Sequence, residues 1–203
     1  MVKYTQIIKV IGVDIGGVII PNLDDEIDKM VSHELGLERL KFDKLWSENI
    51  DYLVTGAISE EEFWSKIGRI TGKDISRAKE ALVNSYTSSV CINLDFVNFL
   101  QSISGQFKIA AMSNSINPHS QFNYKNDVYE VFHRIFLSDE IGYKKPDKEF
   151  FSYVVDSLEI LPQQLLFIDD KIENTVAARK LKINTINFTS NELAVSQIRK
   201  FIS

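Results

Sequence analysis

Cysteine is nearly absent from this chain. Cys91 is the only one among 203 residues, so neither an internal disulfide nor a cysteine-rich metal site can form within it. Basic charge is also in short supply. The formal net charge is −5 and no basic stretch offsets it, which argues against a nucleic-acid surface. There is no internal repeat and no low-complexity segment. Long apolar runs are missing too. The residues from Ile7 to Ile20, behind Lys3, have the look of a signal peptide, but Lys9 and Asp14 interrupt them and no small-residue cleavage site precedes Pro21. They are also too short to span a bilayer. The expectation is a cytoplasmic protein with neither nucleic-acid nor membrane partners, its oligomeric state left open. What remains is a composition of 44% hydrophobic and 25% charged residues, ordinary for a globular chain long enough to bury a sizeable core.

Two textures alternate along the sequence. From Asn22 to about Val90 the apolar residues fall at helical spacing: Ile27, Met30, Val31 and Leu35, then Phe42, Leu45, Trp46 and Ile50. Gly56 is a plausible stop, and Ser59 with Glu62 has the form of a capping box. Phe63, Ile67 and Ile70 continue that helix, while Ile75, Ala78, Leu82 and Tyr86 mark a fourth. Elsewhere short apolar runs alternate with amphipathic segments: Ile7–Val13, Phe107–Met112, Arg134–Leu137, Leu165–Ile168 and Ile183–Phe188. Helical faces are expected from Phe96, Phe99 and Leu100, from Phe150, Phe151, Val154, Val155 and Leu158, from Ile172, Val176 and Leu181, and over Leu193–Ile202. Such alternation implies parallel strands with right-handed helical crossovers. The sequence therefore predicts an α/β fold: a doubly wound parallel-sheet, Rossmann-like core from residues 1–21 and 91–203, with a helical-bundle insert at 22–90 after the first strand.

Four short segments place polar residues near strand ends: Val13-Asp14-Ile15-Gly16-Gly17-Val18, Met112-Ser113-Asn114-Ser115, Tyr143-Lys144-Lys145-Pro146-Asp147 and Phe167-Ile168-Asp169-Asp170. In a parallel sheet these carboxyl ends converge on one edge, where ligands bind. An acid, a hydroxyl, a lysine and an acid pair would meet there, a mixture that suits a magnesium ion and a phosphate. Each segment also has a plainer reading. Asp14 can cap a turn whose backbone freedom comes from Gly16-Gly17, and Ser113-Asn114 can be turn chemistry. Lys145 can be a solvated lysine before a helix begun by Pro146-Asp147, and Asp170 can cap the helix at Ile172. Against this, adjacent Asp169 and Asp170 repel unless a cation or base offsets them, and magnesium takes carboxylate, phosphate and water oxygens. The Ser113 hydroxyl and the amides around Asn114 suit non-bridging phosphate oxygens, and a carboxylate such as Asp14 can form an acyl phosphate. His119 could carry protons near neutrality, although a helix-start or packing role is the favoured reading. His33 and His133 show no partner in sequence.

Taken in order, these segments resemble the haloacid dehalogenase superfamily, most of whose members are phosphohydrolases, over nearly the whole chain from Ile7 to Phe188. The run Met112-Ser113-Asn114-Ser115 with His119, then Ile135-Phe136-Leu137-Ser138, Gly142, Lys145-Pro146 and Phe167-Ile168-Asp169-Asp170, is similar to one capped branch. That branch holds the bacterial glucose-1-phosphatase-like proteins and the N-terminal phosphatase domain of soluble epoxide hydrolase. The resemblance implies Asp14 as nucleophile and magnesium ligand, the Gly16 carbonyl as a further ligand, and Ser113 and Lys145, with Asn114 beside them, around the phosphate. It also implies metal ligation by the acid pair, with Asp170 favoured for direct coordination and Asp169 for a direct or water-mediated role. The activity implied is magnesium-dependent hydrolysis of a small phosphorylated metabolite, a phosphomonoester such as a sugar phosphate or nucleotide, through an aspartyl phosphate on Asp14. The insert would form a cap that chooses the leaving group. One residue departs from the pattern. The family usually carries a second aspartate two residues after the nucleophile, to protonate the leaving group, and here that residue is Gly16. Such help is worth about 10²–10⁴-fold, so a slow enzyme or a catalytically impaired phosphate-ligand binder stands as the alternative. A haloacid dehalogenase, attacking carbon without a metal, is disfavoured because a halide site has no use for Asp169-Asp170.

Overall fold

The chain is described over residues 8–202 by a computed structural model; Lys3 and Ile7 lie outside the described residues. Apolar side chains on both faces of a strand demand a sheet covered on both sides, and such a sheet forms. Its strands are β1 (Val10–Val13), β2 (Lys108–Ser113), β3 (Arg134–Leu137), β4 (Leu165–Asp169) and β5 (Asn184–Asn187). All pairings are parallel and the spatial order is β3-β2-β1-β4-β5. From β1 the chain builds outward to β2 and β3, then returns to lay β4 and β5 on the other side. The order thus reverses between β1 and β4, which is where open parallel sheets bind ligands. Val13 sits level with Ala111 of β2 and Ile168 of β4, so the next residues along these strands emerge together.

Period-two alternation divides the strand residues between two cores. Val10, Ala110, Met112, Phe136, Leu165 and Phe167 face α8 (Lys148–Ser157) and α9 (Ile172–Lys180). Ile11, Val13, Ile109, Ala111, Leu166 and Ile168 face α5 (Leu94–Ile103) and α10 (Asn191–Ile202). Two further helices, α6 (Asn117–Lys125) and the one-turn α7 (Ser138–Ile141), follow β2 and β3.

Between β1 and α5 lie α1 (Asp24–Glu34), α2 (Arg39–Val54), α3 (Glu60–Thr71) and α4 (Ser76–Ser89). The capping box is formed: Glu62 N–H donates to Ser59 Oγ, and Ser59 N–H donates to Glu62 Oε2. Gly56 follows the end of α2 with φ +63°. An aromatic cluster holds α2 to α3, with Trp46 stacked on Phe42 at 5.0 Å and edge-on to Phe63 at 5.4 Å. Through Ile20, Leu23 and Ile27 these helices share the core that α5 and α10 cover. No helix among the described residues is long and apolar enough to cross a membrane.

The structure corrects three helical faces. Met30 and Ile70, expected to point inward, are exposed. On α9 the expected face is reversed: Ile172 and Val176 are 65% and 39% exposed, while Asn174, Thr175 and Ala178 are buried. The reason lies in the site.

Candidate active site

Asp14 leaves the end of β1 with its N–H donated to the Ile168 carbonyl of β4, which fixes its backbone at the reversal point. Its Oδ1 accepts the Ile15 N–H at 2.7 Å and lies 2.8 Å from Lys145 Nζ. Lys145 is buried, and its ammonium also lies 2.7 Å from Asp169 Oδ2. The plainer alternative of a solvated surface lysine does not hold. Asn114 holds that lysine in place: its Nδ2 donates to the Lys145 carbonyl at 2.8 Å, and its Oδ1 accepts the Lys145 N–H at 2.7 Å. Both ends of the Asn114 side chain are thus engaged with the Lys145 main chain. Ser113, at the end of β2, is buried on the wall of the same cavity.

Asp169 is fully enclosed. Its Oδ1 accepts the Lys171 N–H at 2.8 Å, and Asn174 Nδ2 lies 3.0 Å from both of its oxygens. This explains the reversed face of α9, since Asn174 turns inward to satisfy a buried carboxylate that would otherwise be costly. Asp170 is different. Its Oδ1 is buried without a hydrogen bond among the described residues, and Oδ2 lies 3.4 Å from Asn22 Nδ2. Ligand oxygens of Asp14, Asp169 and Asp170 all lie within 4.8 Å of one another. Three carboxylates face one enclosed ammonium, an excess of negative charge that a divalent cation would offset. Burial above all pushes the Asp14 carboxyl well up from its ordinary range, with Lys145 opposing and Asp169 reinforcing; burial and then Asp169 also raise Asp170.

The two glycines beyond Asp14 differ in what they permit. Gly17 has φ +77°, and a Cβ there would collide with the Asp170 carboxylate, so only glycine lets this turn approach the acid pair. Gly16 has no left-handed φ, and a Cβ would meet nothing within 4 Å. The missing family acid therefore corresponds to an open place in ordinary backbone, not to a blocked one.

These groups line one end of a cavity of about 410 Å³ whose other walls include Ile27 and Asp28 of α1, Trp46 and Ile50 of α2, and Leu82 and Tyr86 of α4. His119 stacks on Tyr86 with ring centroids 3.9 Å apart, and its Nε2 lies 3.2 Å from the Leu82 carbonyl. Burial lowers its pKa to about 4. It is thus a neutral packing residue between α4 and α6, as the favoured reading had it. Two contributors escaped sequence reasoning. Asn174 left a signal in the small, polar positions Asn174, Thr175 and Ala178 on one helix face. Lys171, paired at 2.8 Å with Asp24 of α1, left none.

Comparison with a family of known proteins covers three of the four segments, those carrying Ser113, Lys145 and the acid pair, and begins after the one carrying Asp14. The family described as haloacid dehalogenase-like hydrolase matches residues 30–188. The chain is 24% identical to the D-ribitol-5-phosphate phosphatase of Bacteroides thetaiotaomicron, over 88% of this chain and 90% of that one. It is 24% identical to the drimenol cyclase of Aspergillus calidoustus over 91% of its own length, but spans only 35% of that longer protein. Among solved structures, a substitution variant of a HAD family enzyme from Bacteroides thetaiotaomicron, in complex with magnesium and inorganic phosphate, is 25% identical. It superposes with a TM-score of 0.75 over 90% of this chain and 94% of that one.

Proposed function

Because this chain belongs to the haloacid dehalogenase-like hydrolases, we propose that it is a magnesium-dependent phosphohydrolase of a small phosphomonoester, acting through a phosphoryl group carried on Asp14. The observation that carries this reading is the meeting of Asp14, Asp169 and Asp170 within 4.8 Å, beside a buried lysine. The acid pair separates it from metal-free dehalogenation. The phosphatase among the relatives and the magnesium-and-phosphate complex among the structures support the same chemistry.

Asp14, Asp170 with its unpartnered Oδ1, and the Gly16 carbonyl would hold the metal. Asp169, whose oxygens already take four hydrogen bonds and contacts, would act mainly by orienting Lys145 and by its charge. When bound, magnesium supplies positive charge that stabilises the transferring phosphoryl oxygens. The chain does the rest. The Ile15 N–H and Lys145 hold one oxygen of Asp14, which leaves the other for in-line attack. A bond forms from that oxygen to phosphorus as the ester bond to the leaving alcohol oxygen breaks. Lys145 balances charge on the phosphoryl group and Ser113 orients it. Water then attacks the same phosphorus, releasing inorganic phosphate and restoring the carboxylate. With glycine at position 16, the leaving oxygen takes its proton from solvent or from the substrate itself.

In this reading the helices of residues 22–90 form a cap over a core of 1–21 and 91–203, exclude bulk water and select the leaving group. The lone cysteine fits a reducing, cytoplasmic setting. The test is turnover of a phosphomonoester panel with magnesium and with a chelator. Phosphate release should require magnesium and disappear in Asp14→Asn. Metal-independent release, or halide release from 2-haloacids instead, would overturn the assignment.

A further inference from the structure

The charged groups of the cavity pair off with one conspicuous remainder. Lys145 is shared by Asp14 and Asp169, Lys171 pairs with Asp24, and Lys144 lies 3.3 Å from Asp51. Asp170 is accounted for by the metal site. Glu173 sits exposed at the rim. Asp28 is half-buried on the cavity wall and has no hydrogen bond or ion pair among the described residues.

Its position along α1 says what it would meet. Asp24 holds Lys171, which adjoins the acid pair. Asp28 lies four residues further along the same helix, a displacement of about 6 Å at 1.5 Å per residue. The groups that act on its carboxyl are Asp24, Arg39, Asp43 and Asp25, with burial foremost, and they hold it near 6. Asp28 lines the same cavity as the acid cluster, one helical turn beyond Asp24, and makes no hydrogen bond or ion pair with Asp14, Lys145 or Asp170, which leaves it free to meet a leaving group. The neighbouring wall is apolar, from Trp46, Ile50, Leu82 and Tyr86. A partly dehydrated carboxylate in such a wall gains most from a donor brought in by the ligand.

Resting on the phosphohydrolase reading above, we propose that Asp28 is the specificity residue of this site. It accepts a hydrogen bond from a hydroxyl or ammonium group carried by the leaving alcohol, a short carbon chain or ring away from the ester oxygen. The apolar wall receives the intervening carbons. The substrate class is then a compact phosphomonoester with a donor at the end opposite the phosphate, neither a simple alkyl phosphate nor a bulky nucleotide.

Butyl, 4-hydroxybutyl and 4-aminobutyl phosphate differ only at the end far from the phosphate. With magnesium, the wild-type protein should favour at least one donor-bearing ester over butyl phosphate by about tenfold to a hundredfold in kcat/KM, the usual strength of a hydrogen bond to a charged group. Asp28→Ala should abolish that preference. Asp28→Asn separates the two donors: a hydroxyl preference largely survives it, because the amide oxygen still accepts, whereas an ammonium preference collapses with the charge. A wild-type preference for butyl phosphate, or a donor preference that survives Asp28→Ala, would overturn the assignment. The three corresponding phosphonates, titrated calorimetrically with magnesium, give the same ranking without turnover. If no ester is hydrolysed, the phosphohydrolase reading fails, while Asp28 is still judged by whether its substitution levels the three affinities.

Discussion

Lys145 and Asp169 form an ion pair at 2.7 Å with side-chain exposures of 1% and 0%. Both side chains are buried, so their charges are met by protein partners: Asp14 for the lysine, and Lys171 N–H and Asn174 for the carboxylate. Removing the lysine leaves Asp169 and Asp14 buried against each other. Lys145→Ala should therefore lower stability by about 3–5 kcal/mol, the cost of breaking a buried pair from one side, as well as end turnover. Urea denaturation measures the first effect; a variant as stable as wild type would show that the pair does not hold the site together.

Asn174 should behave as a positioning residue. Its amide lies 3.0 Å from both oxygens of Asp169, and supporting partners of this kind typically account for about 10–100-fold in activity or metal affinity. Asn174→Ala is expected to raise the magnesium concentration needed for half-maximal rate and to lower kcat within that range. Magnesium titrations of both proteins decide it, and an unchanged magnesium dependence would return Asn174 to simple packing.

The neighbouring glycines make a paired test. At Gly16 there is room and no left-handed backbone, so Gly16→Asp should fold normally. It should also narrow the rate gap between aryl or acyl phosphates and alkyl phosphates, by up to the roughly 10²–10⁴-fold that a general acid contributes. At Gly17 a Cβ strikes the Asp170 carboxylate, so Gly17→Ala should weaken magnesium binding instead. A leaving-group series with magnesium titrations separates the two outcomes. If Gly16→Asp leaves the leaving-group dependence of the chemical step unchanged, protonation was never limiting.

Local signals in the sequence proved reliable where their partners were local. The Ser59–Glu62 capping box needs only its own turn, and Arg134–Leu137 is a strand over the expected residues. The crevice was legible because strand ends must converge wherever parallel strands pair. Misreadings arose where distant residues set the environment. Lys145 is expected at the phosphate, but its burial depends on the carboxylates that follow β1 and end β4, and α9 exposes Ile172 and Val176 because Asp169 draws Asn174 inward. Asp28 is invisible in sequence for the same reason. Only the packing of α1, α2 and α4 around one cavity distinguishes it from its acidic neighbours.

His119 ties stability to pH. Burial holds it near 4 in the folded protein against an ordinary 6.5, so the unfolded chain binds a proton there that the folded chain refuses. Its contribution is fully present above 6.5 and is lost as pH falls from 6.5 toward 4. His119→Gln keeps a donor for the Leu82 carbonyl but does not titrate. Urea midpoints at about pH 7.5 and about pH 5 should fall less for the variant than for wild type; equal losses would mean that His119 is protonated without penalty.

The central claim is that phosphorus is transferred to Asp14. Mixing the protein with magnesium and acetyl phosphate, quenching in acid during turnover and mapping the peptides by mass spectrometry tests it most directly. The expected result is one added phosphoryl group on the peptide containing Asp14, dependent on magnesium and absent from Asp14→Asn. Turnover that leaves Asp14 unmodified, with the label on another residue or with Asp14→Asn still active, would contradict it.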